Sequence, residues 1–118
     1  MQQRTILVSL LAAALALSFG TASANGNAAA GKKKAAACEA CHGADGNGIA
    51  PNYPALAGQY QDYLEQVLRE YKDGQRTNAI MNGMAAPLSD QDIQDLAAYF
   101  SSLPSKLSDL HGKIQGGN

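Results

Sequence analysis

Two segments of the chain carry apolar residues at the spacing of an amphipathic helix. The first begins at Tyr60, and its apolar face is formed by Tyr60, Tyr63, Leu64, Val67, Leu68 and Tyr71. The second begins at Ser89, and its apolar stripe is formed by Ile93, Leu96, Ala97, Phe100 and Leu103. Gly74 is a favoured residue after a helix end, and Pro104 cannot continue a helix. The pattern therefore predicts two helices, separated by an irregular stretch over 75–88.

The N-terminal residues have the pattern of an export signal. Arg4 precedes an apolar run over 6–17, and the Ala-Ser-Ala sequence at 22–24 fits the small-residue rule for cleavage. A run of this length falls short of the roughly 20 residues that span a bilayer, although a retained membrane anchor is the alternative. We therefore predict that residues 1–24 are a signal peptide, cleaved after Ala24.

The remaining chain reads as one domain over 25–104 and a polar tail over 105–118. The alanine-rich residues 25–40 predict a helix. Its lysines at 32–34 are expected to be solvated, with a docking patch for an acidic partner as the alternative. Residues 43–58 are rich in Gly, Pro and Asn and predict a loop. A loop carbonyl is expected to accept a hydrogen bond from the histidine that precedes it.

Composition limits the kinds of protein that this chain can be. Hydrophobic residues make up 46% of it, but there is no Trp, there are two Phe, and much of the apolar fraction is alanine. A small domain of this composition has little bulk to bury against itself. The formal net charge is −1 at pH 7, which becomes more negative when Arg4 is removed with the signal peptide. A nucleic-acid partner is therefore not expected.

Both cysteines, Cys38 and Cys41, stand in the sequence Cys-Glu-Ala-Cys-His that ends at His42. This C-x-x-C-H pattern is the attachment signal for a c-type haem, because two thiols at this spacing can add to two porphyrin vinyl groups while the imidazole binds iron. The alternatives are a thioredoxin-like redox pair, half of a zinc site and a chance match. The first needs a preceding strand. Zinc needs two more Cys or His ligands, and only His111 remains.

Three blocks of sequence resemble the class I cytochromes c of the small bacterial kind, and in particular one half of the di-haem bacterial cytochromes c. They cover 38–46, 51–59 and 81–90, and the last continues through 97–100. The resemblance implies an all-α cytochrome c fold, with three to five helices wrapped around one covalently bound haem c. No second C-x-x-C-H motif is present, so one haem is expected.

The resemblance also implies the residues that hold this haem. Cys38 and Cys41 match the thioether links, and His42 matches the proximal iron ligand. Pro51 matches the proline whose carbonyl accepts a hydrogen bond from that histidine. Met81 matches the distal ligand, and a His/Met pair raises the reduction potential relative to harder ligands.

Two further expectations follow from the same resemblance. Gly31 and Tyr99 match a close crossing of the first and last helices. Met84 competes with Met81 for the distal position. Met81 is favoured because it precedes Ser89 by the interval that the family shows, which leaves Met84 to pack on the haem face.

The function that the resemblance implies is that of a periplasmic one-electron carrier rather than an enzyme. Its expected partners are redox proteins, such as an oxidase, reductase or dehydrogenase, and contact with the membrane is expected only through transient docking. The alternative is a haem subunit of a periplasmic oxidoreductase or peroxidase. Catalysis would need an open iron coordination position and an acid/base group beside it, for which only His111 is available. A ligand or redox sensor is a third possibility, but the sequence contains no output domain.

Overall fold

The computed structural model describes residues 26–106, which form five helices and no strand. The helices are α1 (Ala28–Lys34), α2 (Ala36–His42), α3 (Gln61–Lys72), α4 (Ala79–Ala85) and α5 (Asp90–Ser102). The predicted signal peptide and the tail beyond Lys106 lie outside the described residues. Within 26–106, no helix has the length and apolar character needed to cross a membrane. The prediction of an all-α fold with three to five helices is confirmed.

The alanine-rich segment forms two short helices where the sequence predicts one. Asn27 caps α1, because its side-chain oxygen accepts a hydrogen bond from the Ala30 N–H. Ala35 separates α1 from α2 and is completely buried. The Cys38 N–H donates to the Ala35 carbonyl over 2.8 Å, which is a tightened turn rather than a regular α-helical bond. The two helices are therefore separated by a break at Ala35.

The crossing of α1 and α5 depends on a glycine, as predicted. A Cβ atom added at Gly31 would lie 2.0 Å from the Asp95 carbonyl oxygen and 2.8 Å from the Tyr99 Cβ. Both contacts are shorter than van der Waals packing allows, and one of them is with backbone that cannot rotate away. The two helices can therefore pack at this distance only if position 31 has no side chain.

We expect Gly31→Ala to lower the free energy of unfolding by about 2 kcal/mol, the range found for overpacked cores. The loss occurs although alanine favours a helix by about 1 kcal/mol over glycine. The measurement is thermal or denaturant unfolding of the haem-loaded protein. Gly83→Ala in α4 is the matched control, because its added Cβ would meet nothing within 4 Å. Equal or greater stability of Gly31→Ala would contradict the crossing.

A buried carboxylate strengthens the same crossing. Asp95 on α5 is 3% exposed; it accepts from the Asn27 backbone N–H over 2.8 Å and from the Lys34 Nζ over 2.8 Å. The hydrogen bond from Asn27 and the contact with Lys34 hold the pKa of Asp95 below its usual value. Lys34 is therefore ion-paired rather than merely solvated. Lys32 and Lys33 are exposed, as expected for a solvated face.

The two long helices form where the hydrophobic pattern predicts them. Ser89 starts α5 with a capping box, in which its side chain accepts from the Asp92 N–H and its own N–H donates to the Asp92 carboxylate. Tyr60 only precedes α3 as its N-cap residue and is 78% exposed, so its inclusion in the apolar face is wrong. The core is small, and its main cluster consists of Ala35, Leu64, Leu96, Ala97, Tyr99 and Phe100.

The stretch over 75–88, predicted to be irregular, contains the seven-residue helix α4. Its N-cap residue is Asn78, whose side-chain oxygen accepts from the Ile80 and Met81 N–H groups. The helix is too short to show a hydrophobic period, and Gly83 lowers its helix propensity. The sequence signal for α4 is the asparagine cap rather than any apolar pattern.

The first residues of the predicted tail contact the loop beside the cysteine motif. The Lys106 N–H donates to the Asn47 side-chain oxygen over 2.7 Å, and the Lys106 Nζ lies 2.7 Å from the Asp45 carboxylate. The loop and the end of the domain are therefore joined. The domain limits at 25–104 remain a prediction.

Candidate functional site

The cysteine motif lies on α2, where its three chemical groups share one side of the helix. Cys38, Cys41 and His42 are separated by three and four residues, which places them close together on a helix surface. All three line the same cavity. The cysteines are free and half-buried, and His42 is 7% exposed. The helix therefore presents two thiols and an imidazole to one space.

The His42 ring is oriented by a carbonyl from the loop that follows it. Its Nδ1 lies 2.8 Å from the Pro54 carbonyl oxygen. A carbonyl can only accept, so in the neutral imidazole Nδ1 carries the proton and Nε2 keeps its lone pair. Metal-binding imidazoles are commonly held in this way, through the nitrogen that does not bind the metal. The loop thus holds His42 in the way that a metal-binding imidazole requires.

The prediction that Pro51 supplies this carbonyl is wrong. Pro51 is exposed and stands at the second position of a turn, which is closed by a 3.0 Å hydrogen bond from the Tyr53 N–H to the Ala50 carbonyl. Proline favours this turn position because its φ is already suitable. After the turn the chain passes His42, and Pro54 is the residue that reaches it. The Pro-Asn pair at 51–52 was the turn signal that could have separated the two prolines.

Hydrogen bonds within the loop hold Pro54 in place. The Gly48 N–H donates to the His42 carbonyl over 2.7 Å. Gly48 has a φ of 78°, and a Cβ there would lie 2.5 Å from the Tyr53 carbonyl oxygen. The N–H groups of Leu56 and Ala57 both donate to the Gly46 carbonyl, over 2.7 and 2.9 Å. These backbone hydrogen bonds therefore fix the path of the loop around His42.

The cavity beside the motif has a volume of about 590 Å³, within the usual range for cofactor sites. Its walls come from α2, the loop, α3 and α4. The apolar face predicted for α3 supplies much of the lining: Tyr63, Leu64, Val67, Leu68 and Tyr71. Of these only Leu64 is buried. The other apolar residues of that face thus line the cavity instead of filling the protein core.

Both candidate methionines line this cavity from α4. Met81 and Met84 are three residues apart and half-buried, so they share one side of the helix. Helices α2 and α4 are separate elements, with no Cα atoms within 8 Å of each other. The cavity therefore receives an imidazole from one helix and thioethers from a separate one.

A buried tyrosine connects the motif to the helix crossing. The Tyr99 hydroxyl donates to the Glu39 carboxylate over 2.9 Å. Burial, together with this carboxylate, raises the pKa of Tyr99.

The motif does not have the features of a thioredoxin-like site. Burial raises the pKa of the Cys38 thiol. A thioredoxin-like site would need a lowered thiol pKa, and the motif ends a helix instead of following a strand.

Three polar residues near the site were not singled out from the sequence. Arg76 and Asn78 line the cavity, and Asn82 hydrogen-bonds to the backbone beside it. All three belong to the stretch predicted to be irregular. An asparagine ahead of a short apolar segment is a helix-cap signal, which could have identified Asn78.

The groups around the cavity fit a covalently bound haem. Two thiols, an imidazole with a free Nε2 and two thioethers face one largely apolar space. A zinc site is less suitable, since no cluster of three or more His, Cys, Asp or Glu side chains able to hold a metal occurs within 26–106.

A family model described as "Cytochrome c" matches residues 28–104. The chain belongs to the cytochrome c family. The prediction of one covalently bound haem c is therefore confirmed for this cytochrome c domain, with Cys38, Cys41 and His42 as its attachment motif.

Individual relatives agree with the predicted resemblance. Cytochrome c4 of Pseudomonas aeruginosa is 57% identical over 98 residues, which cover 82% of this chain and 47% of the relative. Cytochrome c-554(548) of Halomonas halodenitrificans is 55% identical over 80 residues, covering 65% of this chain and 96% of the relative. The chain thus spans about half the length of cytochrome c4, and its predicted likeness to one half of a di-haem cytochrome is confirmed.

A solved structure and a third relative extend the comparison. Reduced cytochrome c4 from Pseudomonas stutzeri has a TM-score of 0.66 and 48% identity, with 70% of this chain and 48% of that chain covered. A protein of Thiomonas intermedia named thiosulfate dehydrogenase electron acceptor is 51% identical over 76 residues, which cover 64% of this chain and 35% of the relative. The likeness to the solved cytochrome c4 structure confirms the cytochrome c fold.

Proposed function

We propose that this cytochrome c domain is a one-electron carrier whose haem iron is bound by His42 and Met81. The observation that supports it best is the arrangement of the cavity. An imidazole with a free Nε2 lines it from α2, and a thioether lines it from α4, which is a separate helix. Bound haem c supplies a one-electron Fe(III)/Fe(II) couple. A ligand from each helix would leave no coordination position for a substrate.

The protein side chains have separate tasks in this proposal. Cys38 and Cys41 would form the thioether links that keep the haem attached. The Pro54 carbonyl holds the His42 proton at Nδ1 and so directs Nε2 into the cavity. Met81 would supply a soft thioether sulfur, which favours Fe(II) over Fe(III) and raises the reduction potential.

The cavity lining favours electron transfer over catalysis. Among the described residues that line it there is no Asp or Glu, and His42 is the only histidine. The other histidine of the chain, His111, lies outside the described residues. A catalytic haem needs an acid/base group beside an open coordination position. Apart from the proximal ligand itself, the described lining therefore offers three tyrosines but no His, Asp or Glu for this purpose.

Export to the periplasm is part of the proposal. It rests on the signal-peptide pattern of residues 1–24 and on the covalent attachment of haem after export. The intact mass of the exported protein is expected to equal that of a chain that begins at Asn25 and carries one haem. A mass that retains residues 1–24 would contradict cleavage after Ala24.

Redox proteins are the expected partners, in line with the relative named as an electron acceptor. That name favours a second candidate function, in which the chain serves as the electron-accepting haem subunit of a dehydrogenase. Gel filtration of the exported protein separates the two: a diffusing carrier elutes alone, and a subunit elutes with its enzyme in fixed proportion.

Carbon monoxide tests the ligation directly. The reduced, haem-loaded protein is expected to show no rapid spectral change when carbon monoxide is added, because Met81 occupies the position that the gas would bind. The Met81→Ala variant is the matched control and should bind the gas rapidly. Rapid binding by the unaltered protein would contradict the carrier and favour an open, catalytic or sensing haem.

A further inference from the structure

The turn between α3 and α4 is held by one side-chain amide. The Asn82 Nδ2 donates to the Tyr71 carbonyl over 2.7 Å and to the Arg76 carbonyl over 2.8 Å. The Asn82 Oδ1 accepts from the Asn78 N–H over 2.8 Å. Both N–H donors and the oxygen of this amide are therefore used. Each bond goes to the backbone of a different part of the turn.

These three partners mark the end of α3, the middle of the turn and the start of α4. Tyr71 lies in the last turn of α3, where carbonyls lack partners within the helix. Arg76 lies in the turn, and its own N–H donates to the Glu70 carbonyl over 3.0 Å. Asn78 is the N-cap of α4. Asn82 thus ties α4, and with it the neighbouring Met81, to α3.

Apart from the hydrogen bonds of Asn82, α4 is held by packing against α3 and by its side chains that line the cavity, Ile80, Met81 and Met84. It has seven residues, which is well below the length of an independently stable helix. Ala85 is its only residue that is buried by protein. Elements with few buried contacts open locally at low free-energy cost. The hydrogen bonds of Asn82 are therefore a principal restraint on where α4 holds Met81.

We propose that Asn82 is a positioning residue for the distal methionine and sets how readily other ligands displace Met81 from the iron. This inference rests on the proposed ligation by Met81. The physical reason is competition: an external ligand binds only to the fraction of protein in which Met81 has left the iron. Weakening the hold on α4 raises that fraction, and the apparent affinity for the external ligand rises by the same factor.

The experiment is a titration of the ferric, haem-loaded protein with imidazole, followed by loss of the far-red band of His/Met haem. Asn82→Ala removes the whole amide. Asn82→Asp keeps the volume and the acceptor for the Asn78 N–H but removes both donors. Both variants are expected to bind imidazole about tenfold more tightly than the unaltered protein, at temperatures where helix content by circular dichroism is unchanged.

Two controls separate this role from general loss of stability. Gly83→Ala changes the next residue of α4 on a side where a Cβ meets nothing within 4 Å, and it should bind imidazole no more tightly than the unaltered protein, because alanine favours the helix. Asp95→Asn weakens the distant α1–α5 contact, and it should lower the melting temperature without changing imidazole affinity.

Each remaining outcome would overturn the inference. If the unaltered protein shows the far-red band and both Asn82 variants bind imidazole as it does, Asn82 does not position Met81, and the carrier proposal stands. If Asp95→Asn tightens imidazole binding as much as the Asn82 variants, the effect belongs to overall stability. If the unaltered protein has no far-red band, the inference falls together with the proposed His/Met ligation.

Discussion

Met81→Ala is expected to remove the weak far-red absorption band of ferric His/Met haem and to lower the reduction potential. The thioether stabilises Fe(II) more than Fe(III), so its loss favours the oxidised form. A tenfold change in this preference corresponds to about 59 mV for one electron, and we expect a fall of at least about that size. A potentiometric titration followed by visible spectroscopy measures both quantities.

Met84→Leu is the matched control for this prediction. Met84 lines the same cavity from the same side of α4, so leucine preserves an apolar filler of similar volume. This variant should keep the band and shift the potential little. The opposite result would transfer the ligand to Met84. If both single variants keep the band, either methionine can serve or the sixth ligand is another group.

The elements that could be predicted from sequence are those with a long hydrophobic period. Helix α5 was predicted from a stripe of five apolar residues and a serine start, and its stripe is buried except for the half-buried Leu103. Helix α4 was not predicted, because its seven residues are positioned by the Asn78 cap and the Asn82 hydrogen bonds. Such polar contacts form between residues that the fold brings together, and the spacing of hydrophobic residues does not predict them.

The apolar face of α3 shows a second limit of hydrophobic spacing. The period correctly predicted a helix, yet Val67, Leu68 and Tyr71 are only half-buried because they line the cavity. A pattern of apolar residues records which side of a helix avoids water. It does not record whether protein or cofactor covers that side. The C-x-x-C-H motif supplied this second piece of information.

The two loop prolines show why the type of group that contacts His42 was easier to predict than the residue that provides it. The loop after His42 was expected to provide a carbonyl, and it does so. Which proline provides it depends on the turn at 50–53, in which Pro51 is an exposed corner residue. The motif fixes the type of group that is needed, whereas the path of the loop decides which residue delivers it.

Replacing Cys38 and Cys41 together with alanine is expected to abolish covalent haem attachment. Without the thiols, no thioether bond to the porphyrin can form. Acid-acetone extraction should then remove all colour from the polypeptide, and the intact mass should contain no haem. Met81→Ala is the control, since it keeps both thiols and should retain its colour. Colour that stays with the double variant would contradict attachment through these cysteines.

The same double variant is expected to be largely unfolded once its haem is removed. Of the ten buried hydrophobic residues between 26 and 106, five are alanine, and each of these contributes little apolar area. The larger apolar side chains of α3 line the cavity and would lose much of their burial. Because a cofactor that binds only the folded state stabilises it, its removal lowers the free energy of unfolding. Far-ultraviolet circular dichroism measures this directly. A haem-free chain with full helix content and a cooperative melt would show that the small α1–α5 core is sufficient to hold the fold.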